Sequence, residues 1–129
     1  MSEEIRLLQF LICKEFTQEE QDTYQAQSIH SNLHVVKFPY RFGKAYVVTC
    51  WRKDKRFHKE VIEYETDYGA SWRSPHMDIE PVANTVLFRW HKHPFPPQLT
   101  IEKPTTLIVR VILDRKSVFE TYVLIEQAS

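Results

Sequence analysis

Apolar residues along this 129-residue chain recur mainly at every second position, the period of a β-strand, and a helical stripe appears at most once. The first stretch, "IRLLQFLICKEF", is apolar on both sides through its middle, as a central strand between two layers would be. The polar "TQEEQDTYQAQSIHSN" follows, where Thr17 and Glu20 have capping-box spacing; this predicts a short surface helix, or a loop carrying one turn. "LHVVKFPY" reads as a strand closed by Pro39. "KAYVVTCWR" sets Tyr46, Val48 and Cys50 against Val47, Thr49 and Trp51, both faces being largely apolar. "RFHKEVIEYET" sends Phe57 and Val61 to one side and Ile62 and Tyr64 to the other, and its interleaved charges suit an edge or half-exposed strand.

The longest irregular piece spans residues 67–81 and carries Trp72, His76 and Met77; long loops are where sites tend to be built. "NTVLFRWHKH" then reads as a strand, followed by the proline-rich "PFPPQLTIEKP". The final hairpin is the clearest element, "TTLIVRVIL" and "SVFETYVLI" around "DRK", with Leu107, Val109, Val111 and Leu113 on one apolar face. Some seven or eight strands with turn signals between them predict one all-β domain over 1–129. The first choice is an antiparallel β-sandwich, immunoglobulin-like or C2-like, with at most one short helix.

Composition narrows the function. The chain has 43% hydrophobic and 26% charged residues, which fits a folded globular domain and not a disordered one. Two glycines, Gly43 and Gly69, leave no glycine-rich phosphate loop and no dinucleotide fingerprint. Seventeen basic residues balance seventeen acidic ones, so no global field draws nucleic acid or an anionic membrane. No stretch approaches the roughly 20 apolar residues of a membrane span. Glu3 and Glu4 stand where a secretory signal would carry positive charge, so the expected setting is cytoplasmic, with Cys13 and Cys50 as reduced, buried thiols.

Candidate chemistry centres on "RWHKHPFPP", residues 89–97. Strand parity puts Val86, Phe88 and Trp90 on the apolar side and Arg89, His91 and His93 on the polar side. Two imidazoles at i and i+2, about 7 Å apart at their Cα atoms, can chelate a divalent metal if other ligands converge. His76 is the candidate third ligand, with His58 or Glu60 as further possibilities. The glycine and glutamate that accompany a His-x-His pair in cupins are missing, and the pattern favours exposed histidines ending a strand. No nucleophile elbow can be drawn. The carboxylate pairs Glu63 with Glu65 and Asp78 with Glu80 read as solvated surface, as does the basic run Arg52, Lys53, Lys55, Arg56 around Asp54 at a hairpin tip. Tyr40, Phe42, Tyr68, Trp72 and Phe95 are the candidate partner-binding aromatics, facing a protein partner or a second copy of the chain. A carbohydrate-binding module would need Trp51, Trp72 or Trp90 flat on an open sheet.

The order of these segments resembles a group of small, uncharacterised bacterial β-sandwich proteins. The shared punctuation is a strand ending in Phe-Pro ("LHVVKFPY"), two central strands ("AYVVTCW", "HKEVIEYE"), a long loop, a strand ending near "FP" ("HKHPFPP") and a final hairpin. The resemblance runs from about Leu7 to Glu126; "KPTT" replaces the glycine expected before the last hairpin. It implies a fold and no catalytic residue. The expectation is therefore a non-enzymatic binding or assembly module without a cofactor, the alternative being a metal-binding protein or metal-dependent enzyme centred on His91 and His93.

Overall fold

A computed structural model describes residues 4–21 and 23–128. Two sheets face each other. The first has the order β2-β1-β4-β8, built from β1 (Arg6–Glu20), β2 (Thr23–Ile29), β4 (Tyr46–Arg52) and β8 (Phe88–Pro94). The second has the order β3-β10-β9-β5-β6, from β3 (Asn32–Val35), β5 (His58–Glu65), β6 (Ser71–Arg73), β9 (Thr105–Leu113) and β10 (Lys116–Gln127), with β7 (Met77–Ile79) also paired to β5. The all-β sandwich is as the alternation predicted. The described residues form ten strands; the sequence yields seven or eight because β6 and β7 are only three residues long and β2 lies in the segment read as a helix or loop. Among the described residues every strand pair is antiparallel except β3 with β10, so the second sheet is mixed.

The core lies between the sheets. Leu107, Val109, Val111 and Leu113 of β9 point into it, as their spacing predicted, with Ile62 and Tyr64 of β5, Val47 and Trp51 of β4, and Val123 and Ile125 of β10. β5 is not an edge strand: β9 lies on one side, β6 and β7 on the other.

The segment read as a short helix is instead a hairpin. β1 continues through Thr17 and Glu20, and β2 returns along it with Cys13 opposite Ile29 and Phe16 opposite Ala26. Tertiary packing outweighs the capping-box spacing there. Phe16 and Tyr24 stack on each other, 5.2 Å between ring centroids, and both contact Trp90, at 5.4 and 4.8 Å. With Cys13 and Val48 they form a second apolar cluster on the outer face of the first sheet.

Cys13 and Cys50 are buried and unpaired. Burial pushes both thiols up, Cys50 to about 11, so neither is a reactive thiolate. Folded protein at pH 8 is expected to resist an aromatic disulfide reagent, and denaturant is expected to release two thiols per chain; rapid reaction without denaturant would contradict this packing.

Candidate functional site

The inward faces of β4, β5 and β8 carry polar side chains that meet in the core. On β5, Glu60 shares its face with Ile62 and Tyr64. β4 and β8 are neighbours in the facing sheet, with Thr49 opposite His91 and Val47 opposite His93. Both histidines therefore project between the sheets. This reverses the parity read from the sequence: Trp90 lies on the outer face of its sheet, and His91 and His93 are buried.

Glu60 joins them. Its Oε1 accepts from His91 Nδ1 at 2.6 Å, His93 Nε2 at 2.8 Å and Thr49 Oγ1 at 3.0 Å, and its Oε2 accepts from Trp51 Nε1 at 2.8 Å. Glu60 and His93 have no exposed surface and His91 has 3%, so the cluster offers no face to a substrate. Burial alone would push the Glu60 carboxyl up, but the two imidazole hydrogen bonds and their charge outweigh it and hold the group at about 2. Both ring nitrogens of His91 face acceptors, Glu60 Oε1 and the Asp78 carbonyl at 3.2 Å. His93 donates from Nε2, while its Nδ1 has no partner.

The donor atoms of Glu60, His91 and His93 lie within 4.8 Å of one another, one oxygen and two imidazole nitrogens. Glu60 takes the third place sought for His76. His76 is exposed on the loop before β7, its Nε2 3.6 Å from Asp78 Oδ1, and is no part of the cluster. The signal for Glu60 was in the sequence, since it sits at the parity of Ile62 and Tyr64, a carboxylate on an apolar face. Trp51 and Thr49 carried no comparable signal.

A second polar cluster sits where the β4–β5 turn meets the β9–β10 turn. His58 Nδ1 is 2.6 Å from Asp114 Oδ2 and its Nε2 is 2.8 Å from Asp54 Oδ1. Asp54 also accepts from the backbone amides of Ile5 and Arg56, and Asp114 from that of Lys59. Asp114 and Arg115 have φ of 50° and 72°, the left-handed pair of a two-residue hairpin turn, a conformation that Asp tolerates better than most residues. The tip read as solvated is thus buried at Lys53 and Asp54.

The candidate partner-binding aromatics do not form an exposed patch. Phe95 is core, 4.8 Å from the Phe42 ring and 5.0 Å from that of Tyr64. Tyr40, Phe42 and Trp72 are half-buried against the same core. Tyr68 is half-buried, its hydroxyl accepting from the Glu102 amide.

Part of the exposed apolar surface lies on the side where β2 and β3 cover only part of each sheet edge. β2 pairs with β1 from Cys13 onward and β3 with β10 from Leu124 onward. Among the described residues, 6–11 of β1 and 116–123 of β10 therefore have no strand on their outer side. Between them lies a groove of about 700 Å³ lined by Leu8, Phe10, Val118 and Phe119, with Trp51 among its walls and Arg6 as the one charged lining residue described. Each edge carries a bulge at the groove. Leu8 is the extra residue between Leu7 and Gln9, and Val118 the extra one between Ser117 and Phe119. These two side chains are 41% and 48% exposed.

Comparison with protein-family models, with curated proteins and with solved structures found no match for this chain. Among the described residues no helix is long and apolar enough to cross a membrane.

Proposed function

We propose that this protein is a non-enzymatic binding module that takes an extended segment of a partner protein into the groove between β1 and β10. The observation that carries this is the pair of unpartnered strand edges flanking an apolar groove, an arrangement suited to an added strand. The chain itself shows how such a segment lies. β2 and β3 run along the same two edges as nearly continuous chain, and at the crossing the His30 amide donates to the Ile12 carbonyl and the Leu124 amide to the Ser31 carbonyl. The partner segment continues that cover over the exposed half.

The bulges at Leu8 and Val118 discourage flat pairing with the sheet of a second copy, because a bulge breaks the regular ladder. They also turn apolar side chains toward the groove, which favours a single strand with apolar residues at alternate positions. Arg6 calls for an acidic residue at one end of that strand. The buried, unpaired cysteines support a cytoplasmic setting, where thiols stay reduced.

Selection of phage-displayed random dodecapeptides on wild type and on L8K and V118K variants tests the reading. Wild type is expected to enrich alternating apolar and polar sequences that carry an acid, and the selected peptides to bind both variants at least tenfold more weakly. Both substituted positions are substantially exposed, so the variants should melt close to wild type. No enrichment over the variants overturns the proposal, as does a concentration-dependent dimer dissociated by V118K, which would assign the groove to a second copy.

A further inference from the structure

We propose that Glu60, His91 and His93 form a binding site for a zinc-class divalent ion that clamps the two sheets together. The proposal is independent of the groove and its occupant. Its first support is the donor set: one carboxylate oxygen and two imidazole nitrogens, within 4.8 Å of one another, from strands of opposite sheets. This is a combination that zinc accepts in tetrahedral sites.

The second support is what stands behind the donors. Metal-bound histidines generally donate the other ring N–H to a carboxylate, backbone carbonyl or water, and bound carboxylates are themselves hydrogen-bonded. His91 meets this requirement: with Nδ1 on the ion, Nε2–H donates to the Asp78 carbonyl at 3.2 Å. Glu60 meets it as well, because Oε2 stays on Trp51 Nε1 at 2.8 Å while Oε1 turns to the ion. Thr49 Oγ1, 3.0 Å from that oxygen, is a further polar group beside the donors. His93 lacks such a partner, its Nδ1 being unpaired.

Tetrahedral bonds of 2.0–2.1 Å set ligand atoms roughly 3.3 Å apart. The present 2.6 and 2.8 Å between Glu60 Oε1 and the two imidazole nitrogens are hydrogen-bond lengths. Loading therefore displaces the ring protons shared with Glu60 and moves Oε1 back from both imidazoles by about half an ångström. The burial of all three ligands makes the ion structural, loaded as the sheets close and slow to leave.

The test is refolding of denatured, metal-stripped wild type with cobalt(II), zinc(II) or chelator. Expected results are one ion per chain by elemental analysis, intense visible cobalt absorption of the tetrahedral kind, and a melting temperature several degrees above that of the chelator-refolded protein. The H91A/H93A variant should lose both ion and absorption. Should that variant fail to fold, the wild-type cobalt spectrum decides by itself. Wild type that refolds fully with cobalt present, yet shows no tetrahedral absorption and no shift in melting, overturns the proposal and leaves a hydrogen-bonded cluster. Peptide selection on the groove is blind to this result, so either proposal can fail alone.

Discussion

Replacing Glu60 by alanine is expected to destabilise the metal-free protein by about 3–5 kcal/mol, the range for removing one partner of a buried charged pair. The carboxylate receives donors from His91, His93, Thr49 and Trp51, none of them on its own strand. Its loss leaves these groups facing a cavity without the carboxylate that accepted from all four, and each unmet buried donor costs about 1–3 kcal/mol. Glutamine is not a neutral replacement. Its carbonyl can serve the histidines, but its amide then faces the Trp51 N–H, donor against donor. A triple variant with leucine at 60, 91 and 93 should recover much of the loss, because well-packed apolar residues often replace a buried ionic cluster without net cost. Urea unfolding at pH 7 in chelator measures all three; E60A within about 0.5 kcal/mol of wild type would sink this account. The acid limb follows from the same contacts. The Glu60 carboxyl is held at about 2 against an ordinary 4.5, so its contribution is present above pH 4.5 and lost as pH falls toward 2.

That cluster also marks where the sequence stops being readable. The parity of β9 could be read because one face is plainly apolar, and Leu107, Val109, Val111 and Leu113 are all buried; β5 offered apolar residues on both sides. In β8 both parities carry a plausible inward set. Hydropathy chooses Val86, Phe88 and Trp90 over Arg89, His91 and His93, and that choice is wrong because two facts decide it from outside the strand. Trp90 has an apolar cluster to join on the outer face, supplied by Phe16 and Tyr24. The histidines have a carboxylate to meet on the opposite sheet, 31 and 33 residues away. Neither is visible to a window moved along the chain. Asp54 repeats the lesson: "RKDKR" reads as a solvated tip, yet the carboxylate is buried by a partner 49 residues away, the Ile5 amide. Aromatic content likewise named the wrong surface. Phe95 and Phe42 pack against the core, whereas Leu8 and Val118 line the groove because of bulges that no residue pattern announces.

Near neutral pH the effect to look for is at His58. Burial alone would lower its pKa, but Asp114 on one nitrogen and Asp54 on the other outweigh that and raise it above the ordinary 6.5. A raised folded value means stability that is fully present below pH 6.5 and lost as pH rises through the folded pKa. The two aspartates run the other way. Burial would raise them, yet for Asp54 the Arg56 amide and His58, and for Asp114 His58 and the Lys59 amide, hold them below 3.8. Their contribution is present above that value and lost as pH falls through the folded pKa. All three are charged together between about pH 4 and 6.5, where the turns holding Ile5, Asp54 and Asp114 are most firmly tied. H58A should therefore cost about 2–4 kcal/mol at pH 6, most of it from Asp54, which is left nearly buried with only its two amide donors. Asp114 is half exposed and adds little to that figure. As pH rises through the folded pKa wild type itself loses the imidazolium, and the gap between the two proteins should narrow toward pH 9. Urea midpoints of both at pH 6 and pH 9 measure this difference, and an equal gap at the two values would mean that the ring acts through packing and not through its charge.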